Sequence, residues 1–513
     1  MDKQLETIFI NCHKPAARDL IEFKNARFVD VINGCFFDDG TRLLTRNGKI
    51  DAILSAEEAA EKIAPDLSVD LKGKTVLPGL FNVHCHIQMI NPTLFSSFKT
   101  VKDRKAYHDQ QVDKNMSDCL VHGITNIRDA YTDDLLPNRQ LRDRIQKGDI
   151  PGPRIQQAVV VGASGGYLTP NIRGFKKKLL GMMGLASLDY DDARSGVVSF
   201  PSSADPQKVR DAVDRAMEER DADVIKVGES LEESLLNPNP AVMSMDQLQA
   251  ITDQSRRKGL QSTIHSVSVE TFRRAVAAGF SSLAHMARDG DLTDEDVMTC
   301  LQSDCIIEPT LSVGYDMSWK LKGNPFANNP NMDALYEFRN NTFSEIASSF
   351  WLPELSEHVI SGYNKANQGR YKMLGLLDLS KIMQYFSPII HFAINNSQRL
   401  VEQGVPMACG NDGGIQACTP AMAAHELLIF DFFMNHQADK KVFNGIKALQ
   451  TATINSATSM GIDNAYGSIE IGKVADFALI NGNPFEDASV IGKPVDALFM
   501  DGCLKINNCG IDI

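Results

Sequence analysis

Eleven histidines occur in the 513 residues, so the places where they fall carry information. His84 and His86 flank Cys85 at the end of an apolar run, LFNVHCH (80–86). In an extended strand, residues i and i+2 point to the same face, so both imidazoles can reach one ion. Taken alone, the pair reads equally well as two half-buried surface histidines. Three further residues share the same kind of position. His265 ends LQSTIHS, His285 closes SSLAHM, and Asp412 ends VPMACGND, where small neighbours let the backbone turn tightly. Each has a plain reading by itself: a helix N-cap for Asp412, a hydrogen-bonded core histidine for the others. Together, four histidines and an aspartate at the ends of four strands form the donor set of a metal centre.

Lys226 is the sixth candidate. It lies in the middle of the apolar strand DVIKVG (223–228). An ammonium there must be paired, neutralised or modified, because bare burial is too costly. A salt bridge to Glu229 or Asp223 would satisfy it. Alternatively, an amine of lowered pKa reacts with carbon dioxide, and the carbamate becomes an anionic, bidentate oxygen ligand able to bridge two cations. The other five donors favour the carbamate.

These residues need a frame. From Leu20 the chain reads as short strands, LIEFKNARFVDV, then TRLLTRNGKIDAIL with Asn47-Gly48 as a hairpin turn, then LSVDLKGKTVLPG. The last fifty residues have the same texture in GSIEIGKVADFALING and VDALFMDGCLKIN. Neither end closes a sheet alone, and the expectation is one β-sandwich built from both, over residues 1–77 and 458–513. Residues 78–457 alternate strands with amphipathic helices, the pattern of a parallel sheet with helical crossovers. Its strand candidates are 80–86, 123–130, 154–162, 223–228, 260–266, 281–286, 304–311 and 405–412. Eight such strands predict a distorted (β/α)8 barrel, an α/β TIM-barrel architecture with its chemistry on loops at the C-terminal strand ends. The rival is a doubly wound open sheet, but no G-x-G-x-x-G follows an early strand. Two connections are long. Residues 163–208 read as an irregular loop carrying Lys176-Lys177-Lys178. Residues 312–400 read as a helical insertion rich in aromatics (Phe350, Trp351, Tyr363, Tyr371, Tyr385, Phe386). Such insertions either shape the pocket or serve packing and interfaces.

Composition removes several function classes. Lys+Arg 52 against Asp+Glu 65 gives a net charge of −13, unsuited to a general nucleic-acid or anionic-membrane binder. No run approaches the roughly 20 apolar residues of a membrane helix. The start, MDKQLETIFINCHKP, has no signal-peptide apolar block. The ten cysteines form no C-x-x-C pair and suit a reducing compartment. A cytoplasmic enzyme with a small-molecule substrate is expected, and a homo-oligomer is compatible with this.

The run LPGLFNVHCH resembles the start of the amidohydrolase superfamily barrel, which usually ends in Asp-x-His-x-His. ATINSATSMGIDNAYGSIEIGKVADFALINGNPF resembles that superfamily's return into its β-sandwich. GITNIRDA, the GPRI strand, the Lys226 strand and the AHM segment are most similar to the imidazolonepropionase-related, Xaa-Pro-dipeptidase-like (prolidase) branch. The resemblance implies a two-metal site, usually zinc. His84, His86 and Asp412 would bind the buried metal, and His265 and His285 the outer one. Carboxylated Lys226 and a hydroxide would bridge them. Three positions depart from the pattern: Asn82 for the usual Asp, Asn411 for the usual Thr before Asp412, and Tyr167 where the branch tends to carry a substrate-touching histidine. Tyr167 is therefore the substrate-binding candidate.

The expected activity is hydrolysis of an amide C–N bond, in a dipeptide, N-acyl amino acid or related small amide. Asp412 would take the proton of the nucleophile and pass it to the leaving nitrogen. A mononuclear deaminase or dechlorinase acting on a heterocycle is the first rival, although such branches usually lack the strand-four lysine. A non-catalytic scaffold on the same fold is the second, although lost catalysis tends to remove ligands and here all six are present. Lys176–Lys178 or Arg288 could receive a substrate carboxylate, whereas Met182-Met183 and the aromatic insertion would favour an apolar acyl group.

Overall fold

The computed structural model describes residues 9, 19–58, 64–90, 100–171, 188–230, 239–318, 320, 325–367, 372–373, 377–378, 386–414, 417–436, 438 and 440–513. The Lys176–Lys178 run, Met182-Met183, Tyr371 and Tyr385 lie outside them.

The two chain ends meet in one sheet. From the N-terminal part come β1 (Leu20–Asp30), β2 (Cys35–Phe36), β3 (Arg42–Arg46), β4 (Lys49–Leu54) and β5 (Leu67–Pro78). Asn47 and Gly48 both take positive φ (54° and 75°), as the tight turn from β3 into β4 requires. The C-terminal part adds β16 (Phe477–Ile480), β17 (Ala497–Met500) and β18 (Cys503–Asn507). The order β18-β17-β16-β5-β1-β3-β4 runs through both, with β2 on β1 and a parallel pairing of β1 with β5. Hydrogen bonds between Ile50 and the 472–473 turn draw the β4 edge back toward the C-terminal segment, so the sheet curls over its own core. That core joins Phe23, Phe28 and Leu43 to Phe477, Phe499 and Leu504.

Between these halves runs the parallel sheet: β6 (Leu80–Cys85), β7 (Ile124–Asp129), β8 (Arg154–Ala163), β9 (Val197–Phe200), β10 (Val224–Gly228), β11 (Gln261–His265), β12 (Ser282–Ala284) and β13 (Ile306–Glu308). Its order is β13-β12-β11-β10-β8-β7-β6, with β9 attached to β8. The strands are buried on both faces and show no inside–outside alternation, and β7 (ITNIRD) buries Asn126, Arg128 and Asp129 as well. β9 sits within the stretch read from sequence as an irregular loop. The eighth expected strand is also different. Residues 405–412 form no regular strand, only isolated parallel bridges, Met407 to Ile307 and Gly413 to Cys85. Ala408 N donates to Ile307 O at 2.8 Å, Val83 N to Cys409 O at 2.8 Å and Asp412 N to His84 O at 2.8 Å. This irregular segment thus closes the barrel between β13 and β6. A short β14/β15 pair (Lys372–Met373, Leu377–Asp378) lies in the insertion.

Capped helices supply the crossovers. Asp205 caps Pro206–Glu218 with proline in the first turn, and Ser244 with Gln247 forms a capping box on Met245–Arg257. Within the insertion, helices Ser312–Met317, Pro330–Phe350, Pro353–Asn367 and Phe392–Glu402 match the helical expectation. The insertion is packed onto the barrel: Trp351 is buried and donates Nε1–H to Ala417 O at 3.0 Å. Arg154 on β8 ties the barrel to the curled sheet through Asp476 (2.6 Å) and Asp501 (2.8 Å). No helix among the described residues is long and apolar enough to cross a membrane.

Phe23 meets Phe477 and Phe499 edge-on at centroid distances of 5.6 and 5.1 Å, so one ring joins the two chain ends. Phe23→Ala is expected to cost about 3–5 kcal/mol. Thermal unfolding followed by circular dichroism should show a lowered first transition, and an unchanged transition would contradict the joint core.

Candidate functional site

All six sequence candidates converge at one mouth of the barrel. His84 comes from β6 and His86 from just beyond it, Lys226 from β10, His265 from the end of β11, His285 from just after β12, and Asp412 from the closing segment. They line one cavity of about 340 Å³. Asp412 Oδ1 lies 2.9 Å from His86 Nε2 and 3.4 Å from His84 Nε2. Ligand atoms of His84, His86 and Asp412 fall within 4.8 Å of one another, and all three residues are buried, so the trio could hold a metal ion. The His265 ring stands 4.5 Å from that of His285, which stands 5.0 Å from that of His84. Tyr167 stacks on His265 at 4.5 Å and 20° between planes.

Lys226 makes neither of the salt bridges that would give it a structural role. Glu229 pairs with Arg274 at 2.8 Å, and Asp223 with Arg142 at 3.1 Å. Among the described residues, no group hydrogen-bonds to Lys226 Nζ or to His265 Nε2, although both atoms are buried. Such orphans are costly unless a ligand or modification completes them. Oxygen and imidazole donors converging on a buried space fit a divalent ion.

The electrostatics follow from burial. Desolvation pushes the Lys226 ammonium down to about 8, helped by the Arg128 charge, with Glu308 and Asp412 opposing. Burial and the Lys226 charge bring His84 down to about 4. His265 and His285 are driven well below the usual imidazole range by burial and by neighbouring cations, so both rings are neutral and able to ligate. Burial would raise the Asp412 carboxyl, but the His86 imidazole at 2.9 Å, itself shifted toward its charged form, outweighs that and holds it well below the usual range.

Backbone strain concentrates here. His285 (φ 70°), Thr310 (φ 49°) and Asp412 (φ 53°) all adopt left-handed conformations, which are unusual for a histidine and costly for a β-branched threonine. Tertiary hydrogen bonds hold two of them: Asp412 N to His84 O and His285 N to Glu308 O, both 2.8 Å. At Gly410 a Cβ would stand 2.6 Å from His84 Cβ, so only glycine lets the closing segment approach β6.

Sequence reading missed the residues behind this ring of donors. His86 Nδ1 lies 3.1 Å from Tyr131 O, and His285 Nδ1 lies 2.7 Å from Thr310 Oγ1. His84 Nδ1 faces Glu308, which pairs with the buried Arg128. A signal was available for Glu308, a charge following two isoleucines in IIEP, the property that singled out Lys226, whereas Arg128 stands in the mixed run NIRD and carried no such mark. The remaining cavity wall is largely apolar, with Met89, Leu168, Val267, Val313, Met317 and Ile389. Arg288 also lines it, its guanidinium 5.2 Å from the Phe386 ring centroid. Val313, Met317, Phe386 and Ile389 come from the insertion, which therefore shapes the pocket.

Residues 75–504 match the profile of the Amidohydrolase family. An imidazolonepropionase of Thermoplasma acidophilum is 27% identical over 104 residues, 20% of this chain and 23% of that protein. Adenine deaminase 1 of Desulfotalea psychrophila is 32% identical over 120 residues, 23% of this chain and 18% of that protein. The matched stretches thus span less than a quarter of either relative. In fold, the chain is similar to a Xaa-Pro dipeptidase crystallised with methionine in its active site, at a TM-score of 0.65 and 22% identity, covering 95% of this chain and 100% of the other.

The two unusual asparagines contact each other. Asn82 Nδ2 donates to Asn411 Oδ1 and to Pro420 O, both at 2.8 Å, while Asn82 Oδ1 accepts from His84 N at 3.2 Å. Asn411 Nδ2 donates to Thr419 O at 2.8 Å, and its Oδ1 also accepts from Gly413 N at 3.0 Å. Asn82→Asp would set a carboxylate against Asn411 Oδ1, and flipping the Asn411 amide would forfeit its bonds to Thr419 and Gly413. The single change is expected to cost about 1–3 kcal/mol. Adding Asn411→Thr should recover much of that loss in thermal denaturation, and additive losses would rule the coupling out.

Proposed function

The chain belongs to the amidohydrolase family of hydrolases acting on C–N bonds, and on that premise we propose that it uses two divalent metal ions to cleave an amide bond in a small carboxylate-bearing substrate. A dipeptide or N-acyl amino acid is the favoured class. The observation that carries this reading is the buried amine of Lys226, without a hydrogen-bond partner among the described residues, facing the same cavity as four imidazoles and Asp412. His84, His86 and Asp412 would hold one ion, and His265 and His285 the other, with the Lys226 carbamate joining them. When bound, the ions, most readily zinc, would supply an activated water at neutral pH and polarise the scissile carbonyl.

The protein's own groups do the rest. The lowered Lys226 pKa leaves a neutral fraction whose nitrogen lone pair adds to the carbon of carbon dioxide, releasing one proton from nitrogen. Asp412, held ionised, accepts the proton of the attacking water and returns it to the departing nitrogen, the base and then the acid of one cycle. Tyr167, stacked on His265, borders the substrate carbonyl from the other side. Arg288 receives the carboxylate, and the methionine and aliphatic wall takes an apolar side chain.

The similarity to an adenine deaminase favours one other reading, deamination of a heterocycle at a single metal. Metal content separates the two. Protein prepared with zinc and bicarbonate should hold about two ions per chain, and Lys226→Met about one. One ion in both proteins would favour the deaminase reading. Asp412→Asn should lower kcat by about 10²- to 10⁴-fold, and full activity would remove its catalytic role. Arg288→Met should raise KM for N-acyl amino acids while sparing their neutral amides, and equal effects on both would exclude a carboxylate subsite.

A further inference from the structure

Glu308 is fully buried at the end of β13, and each of its oxygens has a separate task. Oε1 accepts from Arg128 Nη2 and, at 2.8 Å, from the Ser459 hydroxyl. Arg128 also donates Nη1–H to Ser459 O at 3.2 Å, so guanidinium and serine clamp the carboxylate from one side. Oε2 faces His84 Nδ1 at 3.4 Å, the long limit of a hydrogen bond. A carboxylate is an acceptor only, so a hydrogen bond here puts the ring proton on Nδ1. The contact of Nε2 with Asp412 Oδ1 has the same length but not the geometry of a hydrogen bond. The lone pair of His84 is then left on Nε2, the nitrogen 3.4 Å from Asp412 Oδ1.

We infer that Glu308, clamped by Arg128 and Ser459, is the positioning residue that fixes the His84 tautomer and aims Nε2 into the cavity. The same short segment serves a second histidine. The Glu308 carbonyl accepts from His285 N at 2.8 Å, and Thr310 Oγ1, which donates to Pro309 O, lies 2.7 Å from His285 Nδ1. The end of β13 therefore presents histidines from both proposed metal positions, although it contributes no ligand itself. A hydrogen-bonded carboxylate behind a ligating imidazole sets ring orientation and raises ligand basicity.

The test replaces the carboxylate with its isostere. In Glu308→Gln, the amide oxygen stays with Arg128 and the amide NH₂ turns to His84, where it calls for the proton on Nε2. An Asp-to-Asn exchange behind a catalytic histidine has that consequence in the serine-protease triad. Histidine-selective ¹⁵N NMR of the metal-free protein should show His84 protonated on Nδ1 in the wild type and on Nε2 in Glu308→Gln. Competition with a chromophoric chelator should show zinc affinity reduced about 10- to 100-fold, a readout that rests on the two-metal reading. Glu308→Gln combined with Arg128→Met removes both charges of the pair and keeps the test available if the single variant does not fold. Ser459→Ala should lower the unfolding temperature and leave the tautomer alone. An unchanged His84 tautomer in the Gln variants would overturn the inference. If the tautomer switches but neither wild type nor variant binds zinc, the positioning role stands and the two-metal reading fails.

Discussion

Ionisable side chains taken out of water at the centre of a barrel must be neutralised by one another or by something that binds among them, and most of the site follows from that requirement. Arg128 and Glu308, both fully buried, neutralise each other. Asp412 stays anionic chiefly through His86, 2.9 Å away and shifted toward its charged form. Lys226 is left over, with no hydrogen-bond partner among the described residues and its pKa drawn down to about 8. Breaking a buried pair is far more costly than never forming it, so the Arg128–Glu308 pair constrains everything placed around it.

That pair also sets geometry. It joins β7 to β13 and reaches Ser459 near the return of the chain to the curled sheet, so three distant segments meet behind His84. Beside it, the barrel seam is drawn shut by an irregular segment instead of a regular eighth strand. The irregularity is what allows Asp412 a left-handed backbone and Gly410 a close approach to His84. The Asn82–Asn411 contact spans the same seam with every amide group engaged.

Around this polar floor the walls are of a different character. The helical insertion contributes Val313, Met317, Phe386 and Ile389, and the loop after β8 contributes Tyr167 and Leu168. Apolar walls with a few directed polar groups are the usual composition of a pocket that orients a small molecule. Arg288 lies between the two, against Phe386 and within electrostatic reach of His265 and His285.

The barrel strands and the convergence of the six candidate residues were legible in the sequence because both rest on local rules. Apolar runs mark strands, and a side chain at a strand's C-terminal end faces the barrel mouth whatever its partners are. Asn47-Gly48 was legible for a similar reason, since its turn depends on those two residues alone. Glu308 stood out as a charge after two isoleucines and Arg128 sat in the mixed run NIRD, but their pairing across 180 residues is not a property of either run. Nor could local pattern reveal the positive φ at Thr310 and His285, the short strand β9 inside a loop-like stretch, or the meeting of Asn82 with Asn411. Those features exist because packing and hydrogen bonds from distant segments outweigh local preference. Strand position alone says which side chains reach one end of the barrel; which nitrogens, oxygens and charges face one another there depends on contacts the chain makes after it has closed.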